Sequence, residues 1–372
     1  MDISKILKNY NTEEITIGVL GGHSALDVCH GAKMAGFKTL AVCMKGREKT
    51  YDKYYKSRED GRGCIDDVIM VDHFKDIVKP EVQEELRRRN TIFIHNRYFW
   101  VYCNFEEIEN DFEVPIYGTR EMLKLEERDV EKNQYYLLEK SGIRIPKIFD
   151  DPEQIDRLAI VKVNEAERGY ERAFFLANNA VDYQNKSGEL IEAGIIEEKS
   201  LKNAVIEEYV VGAHVNCNFF YSVIDDELEL MGTDTRRQTN LDGLLRLPAP
   251  EQMELLKYMR PTLIETGHYA VTTKESILEK MFDIGEKFVK LTKKETSPGM
   301  IGPFALQGAV SSSTGKEEIV IFDVSMRIPG SPGTRFTPYT GYLWGESISY
   351  GERTALEIRK AIDQNRLPEI LT

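Results

Sequence analysis

The sequence predicts an α/β protein whose first third is a parallel sheet and whose remainder mixes antiparallel strands with helices. Three observations support this prediction. Short apolar segments alternate with helical segments over residues 15–117, an order typical of parallel sheets. Two apolar segments, at 215–223 and 227–233, flank an Ile-Asp-Asp turn and predict an antiparallel pair. Residues 274–294 place apolar side chains at helical spacing, which predicts a long helix packed on a core.

The elements of the first third alternate along the chain. Residues 15–20 are predicted as a strand, Gly21-Gly22-His23-Ser24 as a turn, and residues 25–35 as a helix. Strands joined by helices favour a single parallel sheet, and we place this first domain at residues 1–118. The remaining predicted elements of the domain are strands at Lys38–Met44, Asp67–Val71, 91–95 and 114–117, and a charged helix at 80–89.

The rest of the chain is predicted to contain both strands and helices. It begins with a charged amphipathic helix at 119–140, which ends at Ser141-Gly142, and an extended segment at 143–149. The long helix at 274–294 carries an apolar stripe that we expect to face the core. The other predicted elements are strands at Ala159–Val163, 172–177, 204–210, 302–307 and 321–327, and helices at 180–193 and 346–364.

Composition and charge exclude several classes of protein. The 372-residue chain has a net charge of −13, whereas a general nucleic-acid or anionic-membrane binder needs a basic surface. Its five cysteines are scattered, without a CxxC pair or zinc-spaced cluster, as expected in a reducing compartment. The N-terminus resembles no signal peptide, and no apolar segment approaches the roughly 20 residues of a membrane span. We expect a cytoplasmic protein that binds neither nucleic acid nor membrane.

The segment at 321–327 places an acid, a hydroxyl and a guanidinium at every second residue. Alternate residues of a strand share a face, so Asp323, Ser325 and Arg327 are predicted to lie together, with Phe322, Val324 and Met326 facing the core. Such a polar set suits Mg²⁺ and the phosphates that it neutralises. An edge strand with a solvated polar face is the alternative.

Two lysines and one strand end are further candidates for nucleotide contacts. Lys162 stands in the apolar strand Ala159–Val163 and needs an anion, which is either a nucleotide phosphate or a structural Glu. Lys124 is a second candidate phosphate ligand, or a residue of a solvated helix face. The segment 205–212 ends at Gly212 and offers an apolar hinge for a planar base, with Glu207 and Glu208 near the ribose. An ordinary strand end is the alternative for this segment.

The turn Gly22-His23-Ser24 follows a strand and precedes a helix. Free N–H groups converge at such a helix start and favour anions. His23 is therefore either a ligand of a phosphate group or a turn histidine that caps the helix.

The order of these features resembles that of ATP-grasp ligases, which have a helical Lys, a strand Lys, a glycine-bearing loop, a Glu-Glu-Tyr hinge and an acid-x-Ser-x-Arg segment. Over nearly the whole chain, the sequence further resembles the archaeal formate-dependent synthetases of 5-formaminoimidazole-4-carboxamide ribonucleotide (FAICAR). The segments that carry the resemblance are Gly22-His23-Ser24, Gly31-Ala32-Lys33, Gly36-Phe37, Met44-Lys45-Gly46-Arg47, Glu207 to Gly212, Phe219 to Ser222, Asn240 to Ala249 and Pro298 to Phe304.

The resemblance implies a fold, a reaction and its cofactors. A Rossmann-like domain at 1–118 would precede an ATP-grasp fold at 119–372, which has two α+β subdomains and a lid at about 145–212. ATP would phosphorylate formate to formyl phosphate, and the 5-amino group of AICAR would attack that carbonyl, giving FAICAR, ADP and phosphate in purine biosynthesis. Mg²⁺ or Mn²⁺ would serve as the metal, and a homo-oligomer is implied.

The resemblance also implies roles for individual residues. The AICAR phosphate or the nascent formyl phosphate would lie at the Gly22-His23-Ser24 turn, and the backbone of residues 208–210 would hold adenine. The implied site residues are Gln307, Asp323 and Ser325 for the metal; Arg327, Lys162 and His23 for catalysis; Lys124, Lys162, Arg168, Glu207, Glu208, Tyr209 and Val210 for ATP; and His23, Ser24, Asn240 and Arg246 for AICAR.

The chain departs from the family pattern at three places. The family pattern has a Glu, which is one methylene longer, at the position of Asp323. The loop at 166–175 retains Arg168 and Arg172 but has one glycine and two glutamates where the family has a glycine-rich stretch, and glycines let a backbone fold closely over phosphates. The loop at 329–334 gains prolines, which stiffen it. An altered lid with the same chemistry, a non-catalytic nucleotide-binding paralogue, and a ligase for another acid and amine are the alternatives.

Overall fold

The described residues of the computed structural model, 3–127, 130–163, 173–259, 264–312 and 315–372, form three β-sheets flanked by helices. The strands are β1 (Thr16–Leu20), β2 (Lys38–Met44), β3 (Asp67–Val71), β4 (Thr91–Ile94), β5 (Ile116–Tyr117), β6 (Ile148–Phe149), β7 (Ala159–Val163), β8 (Ala173–Ala177), β9 (Val205–Glu208), β10 (Ala213–Ser222), β11 (Glu227–Gln238), β12 (Glu265–Val271), β13 (Gly302–Ser311) and β14 (Glu318–Ser325).

The α-helices connect and cover these strands. They are α1 (Ile3–Leu7), α2 (Ala25–Met34), α3 (Pro80–Arg88), α4 (Arg97–Tyr102), α5 (Phe105–Asn110), α6 (Gln134–Lys140), α7 (Ala180–Glu192), α8 (Glu198–Leu201), α9 (Leu241–Leu244), α10 (Ala249–Leu255), α11 (Glu275–Glu295), α12 (Tyr339–Trp344) and α13 (Tyr350–Asp363). Shorter 3₁₀ segments lie at Thr12–Glu14, Phe74–Val78, Arg120–Glu126, Pro152–Gln154, Pro332–Phe336 and Leu367–Glu369, and a π-helical turn lies at Thr50–Tyr54.

The first sheet has the strand order β3-β2-β1-β4-β5, and each neighbouring pair is parallel. All five residues of β1 are buried, as expected for a central strand covered on both faces. The predicted parallel α/β domain is therefore confirmed.

The end of the chain packs on this first sheet. Helix α13 crosses α2 so closely that a Cβ on Gly31 would lie 2.1 Å from the Glu352 nitrogen, and one on Gly351 would lie 2.0 Å from the Asp27 carbonyl oxygen. Leu371 forms an antiparallel bridge with Tyr117. These contacts join the C-terminal segment to the N-terminal domain.

The central sheet has the order β12-β11-β10-β13-β14 and is antiparallel. The predicted apolar stripe of the long helix packs on one face, where Ile277, Met281 and Phe288 of α11 are buried with Phe219 and Phe304. The opposite face is free of this helix and carries polar side chains.

The prediction for Phe322 is wrong. The register of β13 and β14 shifts between Gln307 and Gly308, so Ile321 and Val324 face the core and the ring of Phe322 lies against Lys162 and His214 instead. A β-bulge turns one residue out of the alternation in this way.

A smaller antiparallel sheet, β6-β9-β7-β8, lies between these two in the sequence. It has its own core, which includes Phe149, Val161, Phe175 and Ile206. The connection from β9 to β10 is the predicted glycine-containing hinge, and it joins the smaller sheet to the central one.

The predicted helix at 119–140 is also wrong, because the chain forms a 3₁₀ segment at Arg120–Glu126 and α6 separately. Asn133 starts α6 by accepting hydrogen bonds from the N–H groups of Tyr135 and Tyr136. The side chain of Arg120 is buried, and it donates to the carbonyl oxygens of Ile108 and Phe112. These local bonds outweigh the continuous helical pattern.

Among the described residues, no helix combines the length and apolar character that crossing a lipid bilayer requires.

Candidate active site

A polar cleft lies where the central sheet meets the first domain, with about 320 Å³ of empty space that includes its opening to solvent. Its floor is the face of the central sheet that does not contact α11. On this face of the sheet, Asp234, Asn216, Gln307 and Asp323 form a row in which each residue is paired with the next in the strand register, and Asn216 and Gln307 line the cleft itself. The cleft is lined by His23, Arg97, Asn216, Asn218, Arg236, Glu265, His268, Ala305, Gln307, Ser325, Arg327, Pro329, Gly330 and Ser331.

His23 lies at the wall of this cleft, at the start of α2, with a left-handed backbone (φ 48°). Its Nδ1 is 3.0 Å from Ser24 Oγ, and that buried hydroxyl donates to the Pro329 carbonyl oxygen at 2.8 Å. Ser24 stands at the N-cap of α2 but makes no side-chain cap. His23 therefore faces the cleft, as the ligand interpretation requires.

The charge state of His23 follows from its surroundings. The side chain is exposed to the cleft, but desolvation by the cleft walls, together with the positive charge of Arg327, lowers the pKa of His23 to about 3. The imidazole is thus neutral near pH 7, and it can exchange a proton with a bound group.

Arg327 is buried, and it enters the cleft from the end of β14. Its Nε lies 3.6 Å from Oε2 of the buried Glu126. The other carboxylate oxygen of Glu126 accepts the Met326 N–H at 2.5 Å. One carboxylate therefore fixes both the strand end and the direction of the guanidinium.

Two further arginines make the cleft strongly cationic. Arg97, at the start of α4, has its guanidinium 5.6 Å from the Trp100 ring. Burial and the nearby charge of Arg327 lower the pKa of Arg97. Arg236 extends from β11. Neighbouring positive charges repel each other, so an anion that binds between these arginines offsets the repulsion and is bound more tightly.

A histidine between two carboxylates forms the far wall of the cleft. His268 Nδ1 contacts the buried Asp234, and its Nε2 lies 2.8 Å from Glu265 Oε1. Burial opposes the charged ring, but the hydrogen bonds to both carboxylates outweigh it and raise the pKa of His268 to about 9. Asn216 and Asn218 also donate to Asp234, at 3.1 and 2.5 Å.

The three predicted metal residues lie together. Gln307 and Asp323 are paired across β13 and β14, and Gln307 Nε2 donates to Ser325 Oγ at 2.9 Å. Amide, carboxylate and hydroxyl oxygens are the donors that Mg²⁺ prefers, so the set fits this metal.

An arginine contacts two of the predicted metal residues in this structure. Arg236 Nη2 donates to Gln307 Oε1 and lies 3.6 Å from Asp323 Oδ2. The described residues hold no cluster of three or more His, Cys, Asp and Glu placed for a metal ion. A bound cation would therefore be held by Gln307, by Asp323 and by oxygen atoms of the small molecules bound beside it.

Lys162 is buried between the smaller sheet and the central sheet. Its ammonium group pairs with Glu207 and donates to Tyr135 Oη at 3.2 Å and to the Phe322 carbonyl oxygen at 3.3 Å. Tyr135 Oη in turn donates to Glu207 Oε2 at 2.8 Å. Of the two anions predicted for Lys162, the structure contains the glutamate, and a phosphate remains a prediction.

The predicted adenine hinge connects β9 to β10. The N–H groups of Glu208 and Tyr209 donate to the carbonyl oxygens of Lys147 and Leu158 at 2.8 and 2.9 Å. Those two donors are engaged within the smaller sheet, so an adenine base would use other groups of the hinge, such as those of Val210.

Besides Lys162 and the hinge residues, four predicted residues lie away from the cleft or outside the described residues. Lys124 pairs with Glu109 at 2.8 Å and does not line the cleft. Asn240 and Arg246 are exposed in the segment after β11. Arg168 and most of the altered loop lie outside the described residues. Their roles stay predictions.

Sequence reasoning missed Arg97, Arg236, Glu265 and His268. A signal existed for β11, because Asp234 and Arg236 alternate with Thr235 at the end of a predicted strand. No such signal existed for β12, because none of its seven residues is buried. An edge strand without an apolar face has no recognisable period.

The fold and the cleft together define the class. A parallel α/β domain, a small antiparallel sheet and a larger sheet, with a cation-lined cleft on the larger one, are the parts of the ATP-grasp fold. Solved ATP-grasp structures share this fold at low identity. An N5-carboxyaminoimidazole synthetase from Staphylococcus aureus superposes with a TM-score of 0.55 at 12% identity, over 92% of this chain and 81% of its own.

Two family models and a more similar solved structure narrow the class of protein. Residues 182–372 match "Domain of unknown function (DUF1297)" and residues 17–149 match "Protein of unknown function (DUF1246)". The "IMP biosynthesis protein PurP" of Thermococcus kodakaraensis has a TM-score of 0.70 at 26% identity, over 96% of this chain and 100% of that one.

Curated relatives establish the family. The 5-formaminoimidazole-4-carboxamide-1-(β)-D-ribofuranosyl 5′-monophosphate synthetase of Methanothermobacter thermautotrophicus is 42% identical over 100% of this chain and 98% of its own length. The protein of that name from Methanopyrus kandleri is 37% identical over 100% and 99%. The chain belongs to this family of synthetases, which are ATP-grasp carbon–nitrogen ligases.

Proposed function

We propose that this protein formylates the 5-amino group of AICAR with formate and ATP, giving FAICAR, ADP and phosphate through formyl phosphate. The proposal rests on one observation: a chain 42% identical along its full length to a FAICAR synthetase places three arginines and two histidines around one cleft beside an oxygen-donor row. That arrangement suits the anions of both half-reactions.

The first half-reaction needs a triphosphate held against formate. Lys162 supports this role because it is the buried cation between the two sheets, and a phosphate can replace Glu207 as its partner. Mg²⁺ or Mn²⁺ at Gln307 and Asp323 would offset charge on the transferring phosphoryl group. The guanidinium of Arg327 is placed to neutralise the same group.

The second half-reaction needs AICAR placed beside formyl phosphate. Arg97 and Arg327 supply charge for the phosphate groups, and the neutral His23 supplies a hydrogen-bonding ring in the same cleft. Pro329, Gly330 and Ser331 border the same space, so the altered loop of residues 329–334 would contact a substrate bound there.

A second candidate is a ligase of the same fold for another acid and amine, or a nucleotide-binding paralogue without turnover. The observation that favours it is the loop at 166–175, where Glu167 and Glu171 stand in a stretch that is glycine-rich in the family. Carboxylates beside a triphosphate repel it.

The measurement that separates these functions is phosphate release with ATP and Mg²⁺, with formate and AICAR added singly and together. Release that requires both substrates, with FAICAR detected by mass spectrometry, supports the proposed ligase. Release with a different acid would transfer the proposal to that substrate. Nucleotide binding without release under any condition would identify the paralogue.

We also infer a domain boundary near residue 118, a lid at about 145–212, a homo-oligomer and a cytoplasmic location. One face of the first sheet has a core formed by residues 20–123, and the smaller sheet has a core of its own, which supports the boundaries; the other face of the first sheet shares its core with the C-terminal segment. Light scattering of the purified protein tests the oligomer, because a mass near one chain would contradict it.

A further inference from the structure

Glu265 is the one carboxylate among the described residues that line the cleft. Every other ionisable group on that lining is a cation or a histidine: Arg97, Arg236, Arg327, His23 and His268. A pocket built only for anions has no use for a carboxylate, because an acid repels the phosphates that the arginines attract. Its presence points to a ligand group that donates hydrogen bonds.

Glu265 is held as an anion. Its Oε1 is 2.8 Å from His268 Nε2, and its Oε2 is 3.4 Å from Arg236 Nε. Burial opposes the charge, but the bond to His268 and the charge of Arg236 outweigh it and lower the pKa of Glu265 to about 2. Each carboxylate oxygen accepts two hydrogen bonds, so both oxygens retain capacity for a ligand in the cleft.

The orientation of the Glu265 carboxylate is fixed by the residues that hold its partner His268. His268 is clamped by the buried Asp234, which also accepts from Asn216 and Asn218. Ser331 Oγ donates to Asn218 Oδ1 at 3.2 Å and so ties the clamp to the loop that borders the cleft. A carboxylate positioned by so many partners loses little entropy when it binds a ligand.

We propose that Glu265 binds the exocyclic amino group of the substrate and accepts its proton as that amine attacks the formyl carbonyl. The proposal rests on the proposed function. A nitrogen–carbon bond forms, the carbon–oxygen bond to phosphate breaks, and phosphate leaves with that electron pair. The proton moves from nitrogen to a Glu265 oxygen, and His268 with Asp234 are positioning residues for that oxygen.

A weak base is sufficient for this step. An amine becomes cationic and strongly acidic when its lone pair bonds to a carbonyl carbon, so a carboxylate takes the proton downhill. Before the attack, the same carboxylate orients the amine by accepting one of its N–H bonds. His23 is the rival acceptor, since its ring is neutral in the same cleft.

The test measures the two half-reactions separately in Glu265→Gln. Positional isotope exchange in β,γ-bridge-labelled ATP, with formate and the deamino analogue of AICAR, reports formyl phosphate formation alone. FAICAR formation reports both steps. We expect Glu265→Gln to lower kcat for FAICAR by about 100-fold while isotope exchange persists. Glu279→Gln, on the exposed face of α11, should leave both rates unchanged.

A binding measurement tests the same contact without turnover. Calorimetry should show that the wild-type protein binds AICAR more tightly than the deamino analogue by about 10-fold, the usual size of a charge-assisted hydrogen bond. Glu265→Gln should remove that preference and leave the affinity for the analogue unchanged.

Three outcomes overturn the inference. One is an unchanged kcat in Glu265→Gln, and another is a parallel fall of isotope exchange and FAICAR formation, which indicates a structural role. The third is a preference for AICAR that survives Glu265→Gln but is lost in His23→Asn. Failure of the wild-type protein to make any FAICAR contradicts the proposed function instead.

Discussion

The ammonium group of Lys162 and the carboxylate of Glu207 form a buried ion pair on one face of the smaller sheet, with side chains 8% and 3% exposed. Removing one partner leaves the other charge uncompensated. We therefore expect Lys162→Met to lower the free energy of unfolding by about 3–5 kcal/mol, measured by urea denaturation.

The double variant Lys162→Met/Glu207→Leu removes both charges and should recover most of that loss. Lys186→Met is the matched control, because Lys186 pairs with Asp182 on the surface of α7 and such pairs contribute about 0.5 kcal/mol. Equal losses from the two lysine variants would show that the Lys162 pair is solvated.

Gly330 allows the approach of its loop to His23. A Cβ at this position would lie 2.4 Å from the His23 ring, whereas one on Gly333 would have no atom within 4 Å. We expect Gly330→Ala to lower kcat/KM for AICAR by about 100-fold, as a small displacement of a catalytic group does. Gly333→Ala should leave it unchanged, and a similar loss in both variants would contradict the importance of this contact.

The sequence predicts the apolar strands of the fold better than the site. Strands β2, β3 and β7 have the predicted bounds because each is apolar and bounded by turns. Phe322 departed from its predicted face because a bulge is set by the pairing of β13 with β14, and a single segment does not specify its partner.

The same reason explains which site residues were found. Asp323 and Ser325 lie on a strand with an apolar opposite face, so their alternation with Arg327 was visible, whereas Gln307 came from the family resemblance. Glu265 and His268 lie on the edge strand β12, whose residues are all partly or fully exposed. Their partner Asp234 is 31 residues away from Glu265 along the chain, and only the sheet brings these groups together.

Asp323 should determine metal affinity. It is the carboxylate of the oxygen-donor set, and the ligand charge of such a site governs how tightly it binds divalent cations. We expect Asp323→Asn to weaken Mn²⁺ binding in the presence of ADP by at least about 10-fold, measured by electron paramagnetic resonance, and to abolish turnover. Asp283→Asn, on the exposed side of α11, should bind Mn²⁺ normally; unchanged binding in Asp323→Asn would place the metal elsewhere.

Arg327 should require its guanidinium and not only a positive charge. A lysine at this position keeps the charge but loses the planar fork that matches phosphate oxygens. We expect Arg327→Lys to lower kcat by about 100-fold with a smaller change in the KM for ATP, from steady-state kinetics. Arg335→Lys, at a partly exposed pair with Glu352, should retain activity, and equal effects of the two substitutions would exclude a phosphate role for Arg327.

The cluster of Asp234, His268 and Glu265 should make the protein less stable as the pH rises above 6.5. Carboxylate bonds raise the pKa of His268 from 6.5 to about 9 in the folded protein, so its contribution is complete below pH 6.5. It declines between pH 6.5 and 9 and is lost above, and a shift of this size corresponds to about 3 kcal/mol. Urea denaturation at pH 6 and pH 9.5 should show this fall in the wild-type protein and a smaller one in His268→Gln. A fall of the same size in both proteins would mean that another group titrates and that His268 is uncharged at pH 7.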